Sequence, residues 1–215
     1  SEMCIRDRTE SAVMEEKLLE AGFEPAKSVE TCDYYVFNSC AVTQEAEKKL
    51  FQTIKSAKHK NPNMKVILTG CYAQLNKNED NPLIDKVFGI YEKPDVVSVI
   101  MGDAKVFVSD INEHRDFRYE KLSGFNKTRA TIKIQDGCNN RCSYCTICIA
   151  RGLSRSCEAK DVIEQINELT ENGYNEIVLT GIHVGQWGLD LEPKKSLIDL
   201  LKLIDKTDAK TVRLG

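Results

Sequence analysis

Lys65-Val66-Ile67-Leu68-Thr69-Gly70-Cys71 is a short aliphatic run that ends in glycine and cysteine. Apolar on both faces, such a run reads as a strand covered on both sides, as in a parallel sheet. Tyr34-Tyr35-Val36-Phe37-Asn38 has the same plan and delivers Ser39-Cys40 to its carboxyl end. Between the two, Ala46, Leu50, Ile54 and Ala57 recur at helical spacing, which predicts a helix from about Thr43 to His59 with one buried face. Strand, helix, strand with a cysteine after each strand is a parallel α/β layout. Ligand sites in such sheets gather at the carboxyl ends of the strands, so Cys40 and Cys71 are expected near each other. Upstream, Thr9 or Ser11 can cap a helix that carries Val13, Met14, Leu18 and Leu19 and ends at Gly22.

Downstream, residues 103–127 are charged, with Phe107, Phe117 and Tyr119 scattered through them, and read as a connector. A second alternation follows: a strand over Thr131–Gln135, a helix over Glu158–Asn172, a strand over Glu176–Thr180 closed by Gly181, a helix near Ser196–Lys206 and a strand from Thr211. Repeated strand–loop–helix units suggest a (β/α) barrel whose chemistry sits in the loops after the strands. Residues 1–102 and 128–215 are thus expected as two α/β domains, the second a barrel truncated at its third strand.

The loop after the first of these strands, Gly137-Cys138-Asn139-Asn140-Arg141-Cys142-Ser143-Tyr144-Cys145, carries three thiols at spacing C-x3-C-x2-C. Three close thiolates can wrap three corners of a cubane iron–sulfur cluster and leave its fourth iron open to chelate a small molecule. The alternative is a closed zinc site with Cys148 as fourth ligand. Arg151 and Arg155 follow the loop, as anion contacts or as surface charge, and Gly181 ends the next strand where a cofactor of the loop should lie. Cys32, Cys148 and Cys157 read as unligated thiols.

Hydrophobic residues make up 41% of the chain and charged residues 29%, as in an ordinary globular protein. No apolar run approaches the about 20 residues of a membrane span, and no signal peptide is visible, so a cytoplasmic protein without membrane contact is expected. In that reducing compartment nine cysteines are better metal ligands than disulfides. A net charge of −3 argues against a uniformly basic nucleic-acid binder. Two local basic stretches remain, Lys48–Lys65 and Lys121–Lys160. Each is either a solvated face or a contact for an anionic partner.

Three segments together carry a resemblance: Asn38-Ser39-Cys40-Ala41-Val42-Thr43 with Ala46-Glu47, then Thr69-Gly70-Cys71-Tyr72-Ala73-Gln74, then Asp136-Gly137-Cys138 through Cys145. From about Glu10 onward the chain resembles radical-SAM methylthiotransferases: their specific N-terminal domain first, then the start of their radical-SAM barrel. The resemblance implies two 4Fe–4S clusters and S-adenosylmethionine. One cluster would be held by Cys138, Cys142 and Cys145 as the reactive site, with Gly181 beside the cofactor. The other would be held by Cys40, Cys71 and Cys4, which lies 36 residues before Cys40 where the family places its first cysteine. Ala41-Val42-Thr43, Gly137–Asn140 and Leu179-Thr180-Gly181-Ile182-His183 look most like the branch that methylthiolates C2 of N6-threonylcarbamoyladenosine 37 in ANN-decoding tRNA. A sister branch modifies an aspartate of a ribosomal protein, and a non-catalytic zinc or iron–sulfur RNA-binding module is a third reading. The electron and sulfur donors are left unspecified. The chain departs from the family at Ile5-Arg6-Asp7, and Cys148 and Cys157 stand where Pro and Arg are expected.

Overall fold

The computed structural model describes residues 5–40, 44–76, 81–121 and 129–215. Cys4, Ala41-Val42-Thr43 and the end of the expected connector lie outside the described residues. The chain is a mixed α/β protein that divides into two compact units. One comprises residues 14–114 and 141–151, the other residues 1–13, 115–140 and 152–215.

The first unit is built on four parallel strands in the order β1 (Tyr34–Ser39), β2 (Lys65–Gly70), β3 (Lys86–Phe88) and β4 (Val106–Phe107). β4 lies within the stretch expected as a connector. α1 (Ile5–Glu20) begins before the Thr9 and Ser11 caps read from the sequence. It ends as expected, with Gly22 at a left-handed φ of 87° and Phe23 N–H returning to Leu18 C=O. Met14 is buried against Ile67 and Phe88, whereas Leu19 is exposed.

α2 (Gln44–Lys60) buries Ile54 and Ala57 against Val66 and Leu68 of β2. Lys48, Lys49, Lys55 and Lys60 stay exposed, so most of this basic stretch is a solvated face. After α3 (Cys71–Leu75) and β3, α4 (Val96–Met101) follows. The Lys86 ammonium donates to the carbonyls of Val99 and Ile100, which the end of that helix leaves without intrahelical partners.

The second unit carries the parallel strands β5 (Arg129–Lys133), β8 (Glu176–Thr180) and β9 (Thr211–Leu214), with β8 in the middle. β6 (Gln135–Asp136) and β7 (Arg155–Ser156) form a short antiparallel ribbon, whereas α5 (Ile147–Arg151), between them in the chain, belongs to the first unit. α6 (Ala159–Glu171) presents Val162, Ile166 and Leu169 at helical spacing, all fully buried against Ile177 and Leu179. Each such side chain is worth about 1.5–3 kcal/mol of burial. α7 (Leu197–Ile204) starts with a capping box: Asp199 N–H donates to the Ser196 hydroxyl, and the Asp199 carboxylate accepts from Ser196 N–H.

Candidate cluster-binding sites

β1 and β2 run parallel with Ser39 opposite Gly70, so Cys40 and Cys71 each follow a paired residue at the same end of the sheet. Adjacent strands stand about 4.8 Å apart. Gly70 makes this close approach feasible. Its φ is +97°, and a β-carbon there would fall 2.2 Å from the Ser39 carbonyl oxygen. Cys71 opens α3 and is buried with Ile90 and Ala150, while Cys40 is half-buried.

Gln135 organises the start of the thiol loop. It is fully buried, and its Nε2 lies within hydrogen-bond distance of Asp136 O (2.9 Å), Gly137 O (2.8 Å) and Ser154 Oγ (2.9 Å). Its Oε1 accepts from Ile182 N–H at 3.0 Å and His183 N–H at 2.8 Å. One amide therefore ties the strand leading into the loop, the segment returning from it and the end of β8. Gly181 leaves the room: a β-carbon on it would stand 2.9 Å from two Gln135 oxygens. Gly137, at φ +70°, lets the backbone pass so near Leu153 that a β-carbon would fall 1.9 Å from the Leu153 carbonyl oxygen.

A buried charge cluster lies beside this amide. Asp136 Oδ1 accepts from Gly137 N–H at 2.9 Å, and its Oδ2 faces Lys133 Nζ at 3.4 Å and Arg155 at 4.0 Å. Lys133 also donates to Glu10 Oε1 at 3.1 Å. Asp190 then holds β7 by accepting from the Ser156 N–H and hydroxyl. The buried Trp187 donates from Nε1 to Cys157 O.

Cys142 is exposed, Cys138 and Cys145 are half-exposed, and none is in a disulfide. Arg141, just before Cys142, takes a left-handed φ of 44°, a conformation that costs a non-glycine residue roughly 1–2 kcal/mol. Among the described residues, no three His, Cys, Asp or Glu side chains are gathered closely enough to hold a metal ion. Thiolate-bound metal commonly draws its own ligands together as it binds. Free, partly exposed thiols at C-x3-C-x2-C fit an iron–sulfur cluster by donor chemistry, and the paired strand ends supply two more thiols of the same kind.

One alternative is excluded: Arg151 and Arg155 are not surface charges, since both are buried. Cys157 lies between β7 and α6 as a core residue packed with Ile134 and Trp187. Cys32 is buried too, with its sulfur 3.2 Å from Met64 Sδ. Gln135 was passed over in the sequence, although a polar residue ending the strand directly before Asp136-Gly137-Cys138 was the available signal.

Residues 3–89 match the family model described as "Uncharacterized protein family UPF0004". The threonylcarbamoyladenosine tRNA methylthiotransferase MtaB of Thermotoga maritima is 41% identical over 210 residues, covering 94% of this chain and 47% of that protein. The ribosomal protein uS12 methylthiotransferase RimO of Caldicellulosiruptor saccharolyticus is 35% identical over 218 residues, covering 95% and 49%. The chain thus spans about half the length of these relatives. Among solved structures, it resembles the radical S-adenosylmethionine methyltransferase TsrM of Kitasatospora setae, solved with cobalamin and a 4Fe–4S cluster bound. The TM-score is 0.52 at 14% identity, over 91% of this chain and 49% of that one. At that identity the likeness is one of fold.

Proposed function

We propose, from the chain's similarity to methylthiotransferases, that it is part of a cytoplasmic enzyme that methylthiolates C2 of N6-threonylcarbamoyladenosine 37 in ANN-decoding tRNA. The observation that carries this reading is the 41% identity to a relative of that name. Two strand-end thiols followed by a C-x3-C-x2-C loop support it.

Cys138, Cys142 and Cys145 would hold one 4Fe–4S cluster, and Cys40 and Cys71, with Cys4, a second. When bound, these clusters with S-adenosylmethionine supply the one-electron chemistry that removes hydrogen from adenine C2, together with the sulfur and the methyl group. The chain's own part is to hold the ligands. Gln135 pins the Gly137 end of the loop to β8, and the Asp136 carboxylate fixes the Gly137 N–H just before the first thiol. Exposure of Cys142 leaves that end of the loop open to an incoming small molecule. Among the described residues, no helix is long and apolar enough to cross a membrane.

The 35% identity to the ribosomal-protein enzyme favours a second reading, with an aspartate as the acceptor. The full-length protein, reconstituted anaerobically, is to be offered hypomodified tRNA and ribosomal protein uS12 side by side. Mass spectrometry of digested tRNA should show the methylthiolated nucleoside. Product on the protein alone transfers the assignment to the second reading, and zinc without sulfide in the purified chain ends both.

A further inference from the structure

The solvated side of α2 carries lysines that the fold itself does not use. A chain with 33 acidic residues in 215 has none from Lys48 to Lys65, a stretch that holds six lysines. Lys58 is a structural one: its ammonium donates to Asp85 Oδ2 at 3.0 Å and to the Met64 carbonyl, which fastens the end of the helix to the start of β2. Lys49 lies 4.0 Å from Glu45 and Lys60 3.9 Å from Glu30, both pairs in solvent. Lys48 and Lys55 take part in no ion pair among the described residues. Seven residues apart, they leave a helix of 3.6 residues per turn in the same direction, roughly 10 Å from each other along its axis. Gln52 lies between them and His59 continues the row, all four exposed. The helix dipole favours cations in the last turn, where His59 and Lys60 stand, so Lys48 in the second turn gains nothing from it. Ile54 and Ala57 pin the opposite side of the helix to the core, and Asn61 just beyond it donates to the carbonyls of Val29 and Cys32. The row is therefore held on a fixed support. α2 begins four residues after Cys40, so Lys48 lies towards the thiol end of the sheet and His59 towards the other.

We propose that the row of Lys48, Gln52, Lys55 and His59 on α2 is a docking surface for the phosphate backbone of RNA. The proposal rests on the tRNA reading above and names a surface by which the first unit holds that substrate. Backbone contacts to nucleic acid come from lysines and from neutral donors such as glutamine and serine, and they position without reading sequence. This face has that mixture over about 16 Å of helix, with Ser56 beside the row. A lipid surface fits it less well. Helices that lie on membranes set large apolar residues beside their lysines, whereas Leu50, Phe51 and Ile54 turn to the core here. A protein partner fits less well too, because interface cores are depleted in lysine and built on aromatic anchors, which the row lacks.

The test titrates the full-length protein and its Lys48→Gln/Lys55→Gln variant onto an unmodified transcript of an ANN-decoding tRNA over a series of salt concentrations. The variant should bind at least about tenfold more weakly at about 0.1 M salt, and its plot of log affinity against log salt should be shallower by about two, one per lost phosphate contact. Lys48→Arg/Lys55→Arg should bind like the parent. Lys202→Gln/Lys206→Gln removes the same charge from exposed positions in the second unit and is the control. Parent affinity and parent slope in Lys48→Gln/Lys55→Gln overturn the proposal, and so does an equal loss in the control, which reduces the effect to net charge. A parent that binds no tRNA removes the tRNA reading itself. Binding to phosphatidylserine vesicles that is lost in the same variant then gives the face to a lipid surface and overturns the proposal as well.

Discussion

Gly181 packs directly on Gln135, with no room for a methyl group between the end of β8 and the buried amide. A glycine expected for its place beside a cofactor thus also has an internal reason to be there. Replacing Gln135 by leucine should leave Ile182 N–H, His183 N–H and the Ser154 hydroxyl without this partner. A buried group orphaned in this way costs roughly 1–3 kcal/mol, in full for Ser154 and less for the part-buried N–H groups of Ile182 and His183. Urea unfolding should show a large loss for Gln135→Leu and a smaller one for Gly181→Ala. Parent-like midpoints in both would remove the amide from its central place.

Gly70→Ala and Gly137→Ala meet obstacles of the same kind. Both residues hold a positive φ, and the added methyl would strike backbone carbonyl oxygens, Ser39's in one case and Leu153's in the other. Backbone cannot swing aside as a flexible side chain can, so each variant should melt well below the parent. Iron uptake should fall with it, Gly70→Ala at the strand-end thiols and Gly137→Ala at the loop. Intact melting temperature and iron content for Gly70→Ala would contradict the close approach of the two strand ends.

The two thiol sets should be separable by substitution. Cys142→Ala in the full-length enzyme should abolish cleavage of S-adenosylmethionine, whereas Cys40→Ala should permit cleavage and stop sulfur insertion. The assay counts 5′-deoxyadenosine and methylthiolated product in parallel. Equal loss of 5′-deoxyadenosine from both variants, with the loop cluster still assembled, would argue against two separate roles.

Alkaline pH should weaken the second unit. Burial, and next the Asp161 carboxylate, hold the Cys157 thiol far above its ordinary 9.0, and burial first also raises the Tyr119 phenol above its ordinary 10.0. Both stay protonated in the folded chain where the unfolded chain would ionise them. The stability they represent is whole below about pH 9 and is lost as pH rises from there towards the folded values. Urea midpoints on either side of that pH should fall for the parent and fall less for Cys157→Ala. Thiol alkylation of the folded apo-chain should label Cys142 quickly and leave Cys157 and Cys32 untouched.

Periodicity alone was enough for the regular elements. The apolar runs at Tyr34 and Lys65 and the helical spacing of Ile54 with Ala57 specify buried strands and a one-faced helix wherever they fold, because each must hide its own apolar surface. The thiol spacing of the loop was equally plain, being a property of neighbours in the chain. What tertiary structure decided was the fate of polar residues. Arg155 looks in sequence like any surface arginine, yet it is buried against Asp136, and Gln135, Lys93 and Cys157 are likewise enclosed. A polar side chain can be buried only where distant segments bring it partners, such as Ile182 and His183 for Gln135 or Asn38 for Lys93. Those partners lie tens of residues away, so no local pattern could announce them.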